Sequence, residues 1–353
     1  MNKMVIAKTA YREDFYATKK KFMKRMNVAS VLLLTTAAAV VPAAAVLAQQ
    51  TGGQTKSPQD LVDALHTAFG EHHARAVHTK GIILEGAFTP DKGAAALTKA
   101  FHLQGESSQV TVRFSDFTGL PAIPDTDPAA NPRGLAIKFR MADGRTTDFV
   151  GHSFNGFPTE NSDQFRELLL AIAHSGAGAA KPSELDKFLA THPRAKTFLT
   201  TQHTPASFGA INYFGANSFQ FTNARGESHF IRYQFVPEAG EELLTPAQIK
   251  AKGPDYLQEE IKQRIARHTI RYKMYAQLAE KGDKIDDPSI PWPTTRKRVL
   301  LGVIEIRRLA ANTVQQDKGL FFIPNNIPDG IRTADPMLDF RSRAYPISVK
   351  ERQ

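Results

Sequence analysis

The sequence has 353 residues, a formal net charge of +10 at pH 7 and no cysteine. The absence of cysteine excludes disulfide frameworks, thiolate metal sites, iron–sulfur clusters and covalent haem attachment through Cys-x-x-Cys-His. Residues 1–48 hold eight Lys or Arg and two acidic residues, so the remainder carries only +4, too little and too dispersed to predict a nucleic-acid partner.

Residues 1–48 are typical of an export signal. A basic segment containing KKKFMKR precedes an apolar, uncharged stretch that is interrupted by Pro42 and ends in small residues. This pattern predicts cleavage after Ala48, a periplasmic or secreted mature protein of residues 49–353, and no stable membrane insertion after processing. Two alternatives are an uncut membrane anchor, since the stretch is just long enough to span a bilayer, and a translation start at Met23 or Met26.

The first half of the mature chain reads as one helix followed by strands. SPQDLVDALHTAFG predicts a helix with Ser57 as its cap, Pro58 in its first turn and Gly70 at its end. Four strand-like runs follow: GIILEGAF, SQVTVRFSDF, RGLAIKF and TTDFVG. In the second run, apolar residues alternate with polar ones, which predicts a sheet with one buried face.

The second half mixes helices with further strands. NSDQFRELLLAIAHSG and SELDKFLATH predict helices, the latter ended by Pro193. NSFQFTNARGESHFIRYQFVP predicts a hairpin, YLQEEIKQRI a helix, and TIRYKMYAQL and LLGVIEIRRL two strands. The order predicts an α+β fold, an antiparallel sheet with inserted helices rather than a βαβ series.

Three motif-like stretches do not support a site. GHSFNG has Asn155 where a nucleophile elbow needs glycine. GAGAAK follows a predicted helix, whereas a dinucleotide-binding loop follows a strand. His72 and His73 are adjacent, whereas metal-binding helices use i, i+4 pairs, so we expect surface residues.

Three other stretches combine arginine with a group that can act on a haem: RAVHTKG with Arg75 and His78, VRFSD with Arg113 and Ser115, and DFRSRAYPISVKERQ with Arg341, Tyr345 and Arg352. Together with VTVRFSDFTGLPAIPDTDPAANPRGLAIKF, DFVGHSFNGF and RTADPMLDFRSRAY, in this order, they resemble the catalase family and specifically its small, catalase-related peroxidases. The resemblance covers residues 57–352. It implies a catalase-like antiparallel β-barrel with inserted helices, lacking the C-terminal domain of the large catalases, and one haem-binding domain over residues 49–353.

The resemblance also implies a role for each site residue around a non-covalently bound haem b. Tyr345 would be the axial ligand of the iron, Arg341 would bond its phenolate, His78 would move protons with Ser115 bonded to it, Arg75, Arg113 and Arg352 would hold the propionates, and Phe165 would narrow the pocket. The residue types suit these roles, because a charged guanidinium favours a phenolate and arginine pairs with carboxylates in forked geometry.

Two positions depart from the family pattern. Catalases have asparagine where His152 stands, and large catalases have histidine where Val349 stands; both changes favour peroxidase chemistry over rapid dismutation. The resemblance therefore implies reduction of hydrogen peroxide or an organic hydroperoxide, with oxidation of a small electron donor and weak catalase activity. The alternatives are a haem isomerase that rearranges hydroperoxides and a non-enzymatic periplasmic haem carrier. A homodimer or monomer is expected rather than a tetramer.

Overall fold

The computed structural model describes residues 56–352, so the predicted export signal and its cleavage site lie outside the described residues. Their strands are β1 (Gly81–Pro90), β2 (Ser108–Ser115), β3 (Gly134–Arg140), β4 (Thr146–His152), β5 (Tyr213–Phe214), β6 (Phe219–Thr222), β7 (Ser228–Pro237), β8 (Ile270–Leu278), β9 (Arg298–Leu309) and β10 (Ile331–Thr333). Their helices are α1 (Pro58–Phe69), α2 (Ser162–Ala173), α3 (Glu184–Thr191), α4 (Pro193–Thr200), α5 (Pro246–Lys250), α6 (Tyr256–Arg267), α7 (Thr313–Gly319) and α8 (Pro336–Glu351).

Eight antiparallel strands close into a barrel. Their order is β7-β5-β4-β3-β2-β1-β9-β8, and a second pairing of β7 with β8 completes the ring. Strands β6 and β10 extend the sheet outward from β7. Closure leaves no unpaired edge in the ring. The predicted α+β barrel with inserted helices is therefore confirmed.

Alternation along β2 decides which side chains enter the barrel and which face the helices outside it. Val112 and Phe114 belong to the large apolar cluster that fills the barrel. Because neighbouring strand residues point to opposite faces, Arg113 and Ser115 lie on the outer face. Helices α1, α2 and α8 pack on one another over that face, around residues such as Leu65.

Most local predictions agree with the structure. Ser57 caps α1 through a capping box with Asp60, and β6 and β7 form the predicted hairpin. Helix α3 ends directly before Pro193, as predicted, but Pro193 also lies in the first turn of a further helix, α4, that was not predicted. Proline is tolerated there because the first helical N–H has no intrahelical partner. No helix in residues 56–352 is both long and apolar enough to cross a bilayer.

His102 makes the stability of the haem-free barrel sensitive to acid. Its ring is 2% exposed, lies 5.1 Å from the ring of Phe139, and burial lowers its pKa from 6.5 to about 3. Below pH 6.5 the unfolded chain therefore takes up a proton at His102 that the folded chain does not, so folding stability falls as the pH falls. Between pH 7 and pH 4.5, we expect the free energy of unfolding to fall by about 2–3 kcal/mol less in His102→Leu than in the wild type. Urea unfolding at both values measures this, and an unchanged pH slope would contradict it.

Candidate active site

A cavity lies between the outer face of β2–β4 and helices α1 and α8. It contains about 1210 Å³ of space not filled by protein atoms, including the space at its open mouth. Every site residue predicted from the sequence lines it: Arg75, His78, Arg113, Ser115, Phe165, Arg341, Tyr345 and Arg352.

The barrel wall of the cavity is built on one cross-strand row. Ser115 on β2 pairs with Gly134 on β3, and Gly134 pairs with His152 on β4, so the three residues share one face of the sheet. A Cβ atom on Gly134 would collide with Ser115 Oγ and would lie 2.6 Å from His78 Nδ1. Glycine is therefore required at this position, because the imidazole of His78 occupies the space above it.

His78 is held in one orientation by the chain around it. Its backbone has a φ of 58°, unusual for a residue other than glycine. Its Nδ1 donates to the carbonyl oxygen of Asp116 at 2.9 Å and lies 3.1 Å from Ser115 Oγ. Burial, then the neighbouring His152 and Arg113, lower the pKa of His78 to about 3. The imidazole is therefore neutral at ordinary pH and can accept a proton at Nε2.

A buried ionic network fixes the backbone that orients His78. Arg133 is fully buried, and its guanidinium donates to the Asp116 carboxylate and to the carbonyl oxygen of Asp125. Lys80 donates to the Asp125 carboxylate at 2.5 Å. Burial raises the pKa of Asp116 to about 7 despite the charge of Arg133. This network was not predicted from the sequence, although Arg133 and Asp116 both lie within the motif VTVRFSDFTGLPAIPDTDPAANPRGLAIKF.

The helical wall presents a tyrosine held by a chain of polar contacts. On α8, Arg341 Nη2 donates to Tyr345 Oη at 2.9 Å, as expected for residues one turn apart. Arg341 Nη1 donates to Asn217 Oδ1 at 2.7 Å, and Asn217 Nδ2 donates to Asp335 Oδ2 at 2.6 Å. Asp335 also caps α8 by accepting the backbone N–H of Met337.

Asp335 stabilises the positive charge of Arg341 through Asn217. It is 1% exposed, and burial raises its pKa to about 6 even though Asn217 and Met337 donate to it. Above that pH the carboxylate is ionised, so the contact chain carries a negative charge at one end and the Arg341 guanidinium beside Tyr345 at the other. Asn217 and Asp335 were not identified in the sequence.

Three arginines meet at one edge of the cavity around a single carboxylate. Asp317 on α7 accepts from Arg75 at 2.9 Å and from Arg113 at 2.7 and 3.1 Å. Arg75 and Arg352 both donate to the carbonyl oxygen of Leu320, at 2.6 and 2.9 Å. Burial opposes ionisation of Asp317, but the charges of Arg113 and Arg75 outweigh it and lower its pKa to about 2. We call Arg75, Arg113 and Arg352 the arginine cluster.

The side chains present fit a haem. Apolar residues such as Val77, Val150 and Phe157 line the cavity, which suits a porphyrin face. Asp317 demonstrates that the arginine cluster accommodates a carboxylate, and Arg75 Nε together with Arg352 Nε and Nη1 are buried without a hydrogen-bond partner. Buried donors of this kind call for an acceptor, and a propionate provides one. Tyr345 offers the oxygen donor for the iron.

Of the other residues that the sequence analysis named, some line the cavity and others lie outside it. Phe165 on α2 lines the cavity and packs on Phe157 with ring centroids 4.9 Å apart; Val349 also lines it. Arg343 is exposed and lies over the Phe340 ring instead. His72 and His73 are exposed, as expected, and residues 56–352 contain no cluster of three His, Asp or Glu side chains able to chelate a metal ion.

Comparisons with solved structures agree with the barrel. A bacterial catalase superposes with a TM-score of 0.69 at 23% identity, covering 79% of this chain and 57% of the catalase. Catalase A from Saccharomyces cerevisiae superposes with a TM-score of 0.70 at 19% identity, covering 79% of this chain and 61% of that one. At such identities the likeness concerns the fold, and the matched region is the barrel with its helices.

Comparisons of sequence identify the family as well as the fold. A catalase-related peroxidase of Mycolicibacterium paratuberculosis is 33% identical over 310 residues, covering 86% of this chain and 96% of the relative. A catalase-related peroxidase of Synechococcus elongatus is 30% identical over 302 residues, covering 84% and 88%. The family model for catalase matches residues 44–353. With that match and the cavity geometry together, the chain belongs to the catalase family.

Proposed function

We propose that this chain is a haem b-dependent peroxidase that reduces hydrogen peroxide or an organic hydroperoxide and oxidises a small electron donor. As a member of the catalase family it is an oxidoreductase acting on peroxide. One observation supports the assignment of a haem-dependent peroxidase. The cavity that presents neutral His78 on its barrel wall presents Tyr345, bonded to Arg341, on its helical wall.

Each part of the cavity has a task in holding the cofactor. Tyr345 would supply the oxygen that binds the iron, and the Arg341 guanidinium donates to that oxygen at 2.9 Å. The arginine cluster pairs with the propionates, and the apolar walls exclude water from the porphyrin faces. A bound haem supplies an iron centre that gives up the electrons needed to split the peroxide O–O bond and later recovers them from the donor.

His78 performs the proton transfers. Its Nδ1–H is committed to the Asp116 carbonyl oxygen, so its Nε2 carries the free lone pair. Nε2 accepts the proton of one peroxide oxygen and delivers it to the other, which leaves as water or, from an organic hydroperoxide, as an alcohol. Ser115 Oγ and the space above Gly134 keep the ring in place during both transfers.

The preference for peroxidase over catalase chemistry rests on two kinds of observation. His152 and Val349 both line the cavity at the two positions where the sequence departs from the large catalases. The two relatives that carry the name catalase-related peroxidase are covered over 96% and 88% of their length, whereas a Streptomyces coelicolor catalase is covered over only 59%.

Residues 49–353, produced with haem, test the proposal directly. Oxygen release from hydrogen peroxide and oxidation of a dye donor are measured on the same sample, and we expect donor oxidation to exceed oxygen release. Dominant oxygen release would reject the peroxidase preference. With a lipid hydroperoxide as substrate, we expect the corresponding alcohol to form only when the electron donor is present. A rearranged epoxide formed without donor would favour the isomerase. Haem binding without any turnover would favour the haem carrier.

We further propose export and a monomeric or dimeric state. Support for export comes from the basic and apolar pattern of residues 1–48, which predicts cleavage after Ala48. Sequencing the N-terminus of the protein from a cell fraction tests both the compartment and the site of cleavage. Light scattering of the haem-loaded protein tests the oligomeric state, and a tetramer would contradict the proposal.

Removing the Asp317 carboxylate is expected to strengthen haem binding. Asp317 and a propionate would compete for Arg75 and Arg113, so Asp317→Asn should lower the haem dissociation constant about 10-fold, which corresponds to about 1.4 kcal/mol. Absorbance titration of the haem-free protein measures this. Haem dimethyl ester, whose carboxylates are blocked, is the control and should gain less than twofold. Equal gains, or weaker binding of both ligands, would show that Asp317 does not compete with a propionate.

A further inference from the structure

His152 stands beside His78 on the barrel wall and has no role in the mechanism above. It ends β4 opposite Gly134, and Gly134 lies under the His78 ring, so the two imidazoles are neighbours across one strand. The His152 side chain is 7% exposed and lines the cavity. Burial, and then the charge of Arg341, lower its pKa to about 3, so it is neutral like His78.

The hydrogen-bond partners of the two rings assign them opposite tautomers. His78 Nδ1 faces a carbonyl oxygen, which can only accept, so Nδ1 carries the hydrogen and Nε2 the lone pair. His152 Nδ1 lies 3.3 Å from the backbone nitrogen of Phe154, whose N–H can only donate, so Nδ1 carries the lone pair and Nε2 the hydrogen. His152 Nε2 makes no hydrogen bond to any described residue.

We propose that His152 is a second catalytic residue, whose Nε2–H donates a hydrogen bond to the peroxide while His78 Nε2 accepts its proton. This inference rests on the proposed peroxidase function. The peroxide oxygen that loses its proton gives it to His78. The O–O bond then breaks with the two electrons that a bound haem would supply, and the departing oxygen, held by His152, takes the proton from His78 and leaves as water. No proton leaves His152, so it stabilises the charge that develops on the departing oxygen without being consumed.

A neutral N–H donor suits this position better than a charged one. Arg341 and the arginine cluster already make the cavity electropositive, so a second cation beside His78 would be costly. The Phe154 N–H fixes the tautomer from behind, and the rings of Phe157 and Phe198 pack on His152 with centroids 6.2 and 6.0 Å away. The donor is therefore held in place before peroxide arrives, as electrostatic catalysis requires.

The tautomers of His78 and His152 can be determined in the haem-free protein. Proton–nitrogen correlation spectra of haem-free protein containing ¹⁵N-histidine distinguish Nδ1–H from Nε2–H rings, and His78→Gln and His152→Gln assign the signals. We expect His78 as the Nδ1–H form and His152 as the Nε2–H form at pH 7. A His152 ring in the Nδ1–H form, or protonated at both nitrogens, would overturn the proposal whatever the enzyme's function is.

Cyanide binding to the haem-loaded protein tests the donor itself. Hydrogen cyanide gives its proton to His78 and leaves a bound anion that accepts from His152, so it requires both tautomers. His152→Gln keeps an N–H near the position of Nε2, and His152→Leu removes it at similar size. We expect the cyanide dissociation constant to rise less than threefold in His152→Gln and at least about 10-fold in His152→Leu, a loss typical of one hydrogen bond.

The pair of variants separates hydrogen bonding from packing. Equal weakening in both, or none in His152→Leu, would reject the donor role, because a packing role depends on size and not on the N–H. Failure of the proposed function itself would look different. In that case wild-type protein would bind no haem through Tyr345, while the histidine spectra would still report the two tautomers.

Discussion

Tyr345→Phe is expected to weaken haem binding at least about 100-fold, which corresponds to about 2.7 kcal/mol. The substitution removes one oxygen atom, which α8 places in the cavity within hydrogen-bond distance of Arg341, and it keeps the ring that packs in the helix. Phenylalanine cannot bind iron, so the remaining affinity would come from the arginine cluster and the apolar walls. Absorbance titration of the haem-free protein measures the loss, and the absorption bands of a ferric tyrosinate should disappear with it.

Tyr275→Phe is the matched control. Tyr275 lies on β8, away from the cavity, and its ring contacts the Arg298 guanidinium with a separation of 5.1 Å. We expect this variant to bind haem like the wild type. If Tyr345→Phe keeps the haem affinity and spectrum of the wild type, Tyr345 is not the axial ligand and the site assignment is wrong.

His78→Ala is expected to lower donor oxidation about 10³-fold while haem binding is retained, since general acid–base catalysis commonly contributes 10²–10⁴-fold. His78 supplies the Nε2 atom that accepts the peroxide proton. The hydroxyl group of the neighbouring Ser115 is not a base of comparable strength. Stopped-flow measurement of the reaction of the haem-loaded protein with peroxide isolates this step. Added imidazole should restore part of the rate, because the substitution empties the space above Gly134.

The pH dependence of the wild-type rate gives a second test of His78. Its pKa is lowered to about 3, and only the neutral ring can accept a proton, so the rate should stay level from pH 8 to pH 5 and fall only in stronger acid. His229→Ala, which changes an exposed histidine on β7, should leave the rate unchanged. A rate that falls with an apparent pKa near 6.5 would contradict the buried, neutral state of His78.

Short-range patterns in the sequence predicted most of the strands and helices, and the family resemblance named eight residues that line the cavity. The capped helix α1 and the alternation in β2 depend on neighbours within a few positions, which a sequence displays directly. The eight residues come from four places in the fold that border one cavity: the segment before β1, the strand β2, the helix α2, and α8 with the residue after it. Helix α4 was not predicted, because a proline that ends one helix and a proline that opens the next give the same local signal.

Partners that are distant in sequence were not predicted. Asp317 is 242 residues from Arg75, and Asn217 is 124 residues from Arg341, so only the closed barrel brings each pair together. Burial was equally hidden: Arg133 and Asp335 look like ordinary surface charges in the sequence but are 0% and 1% exposed. The tautomer of His152 depends on the backbone N–H of Phe154, a contact that residue types alone do not specify.

The position of α8 in the chain has a consequence for how the protein matures. Ribosomes complete all eight barrel strands before they add Arg341, Tyr345 and Arg352. A chain that has just completed these strands therefore still lacks Tyr345, the proposed iron ligand, and part of the arginine cluster. Binding of a haem through Tyr345 would therefore have to follow the synthesis of α8.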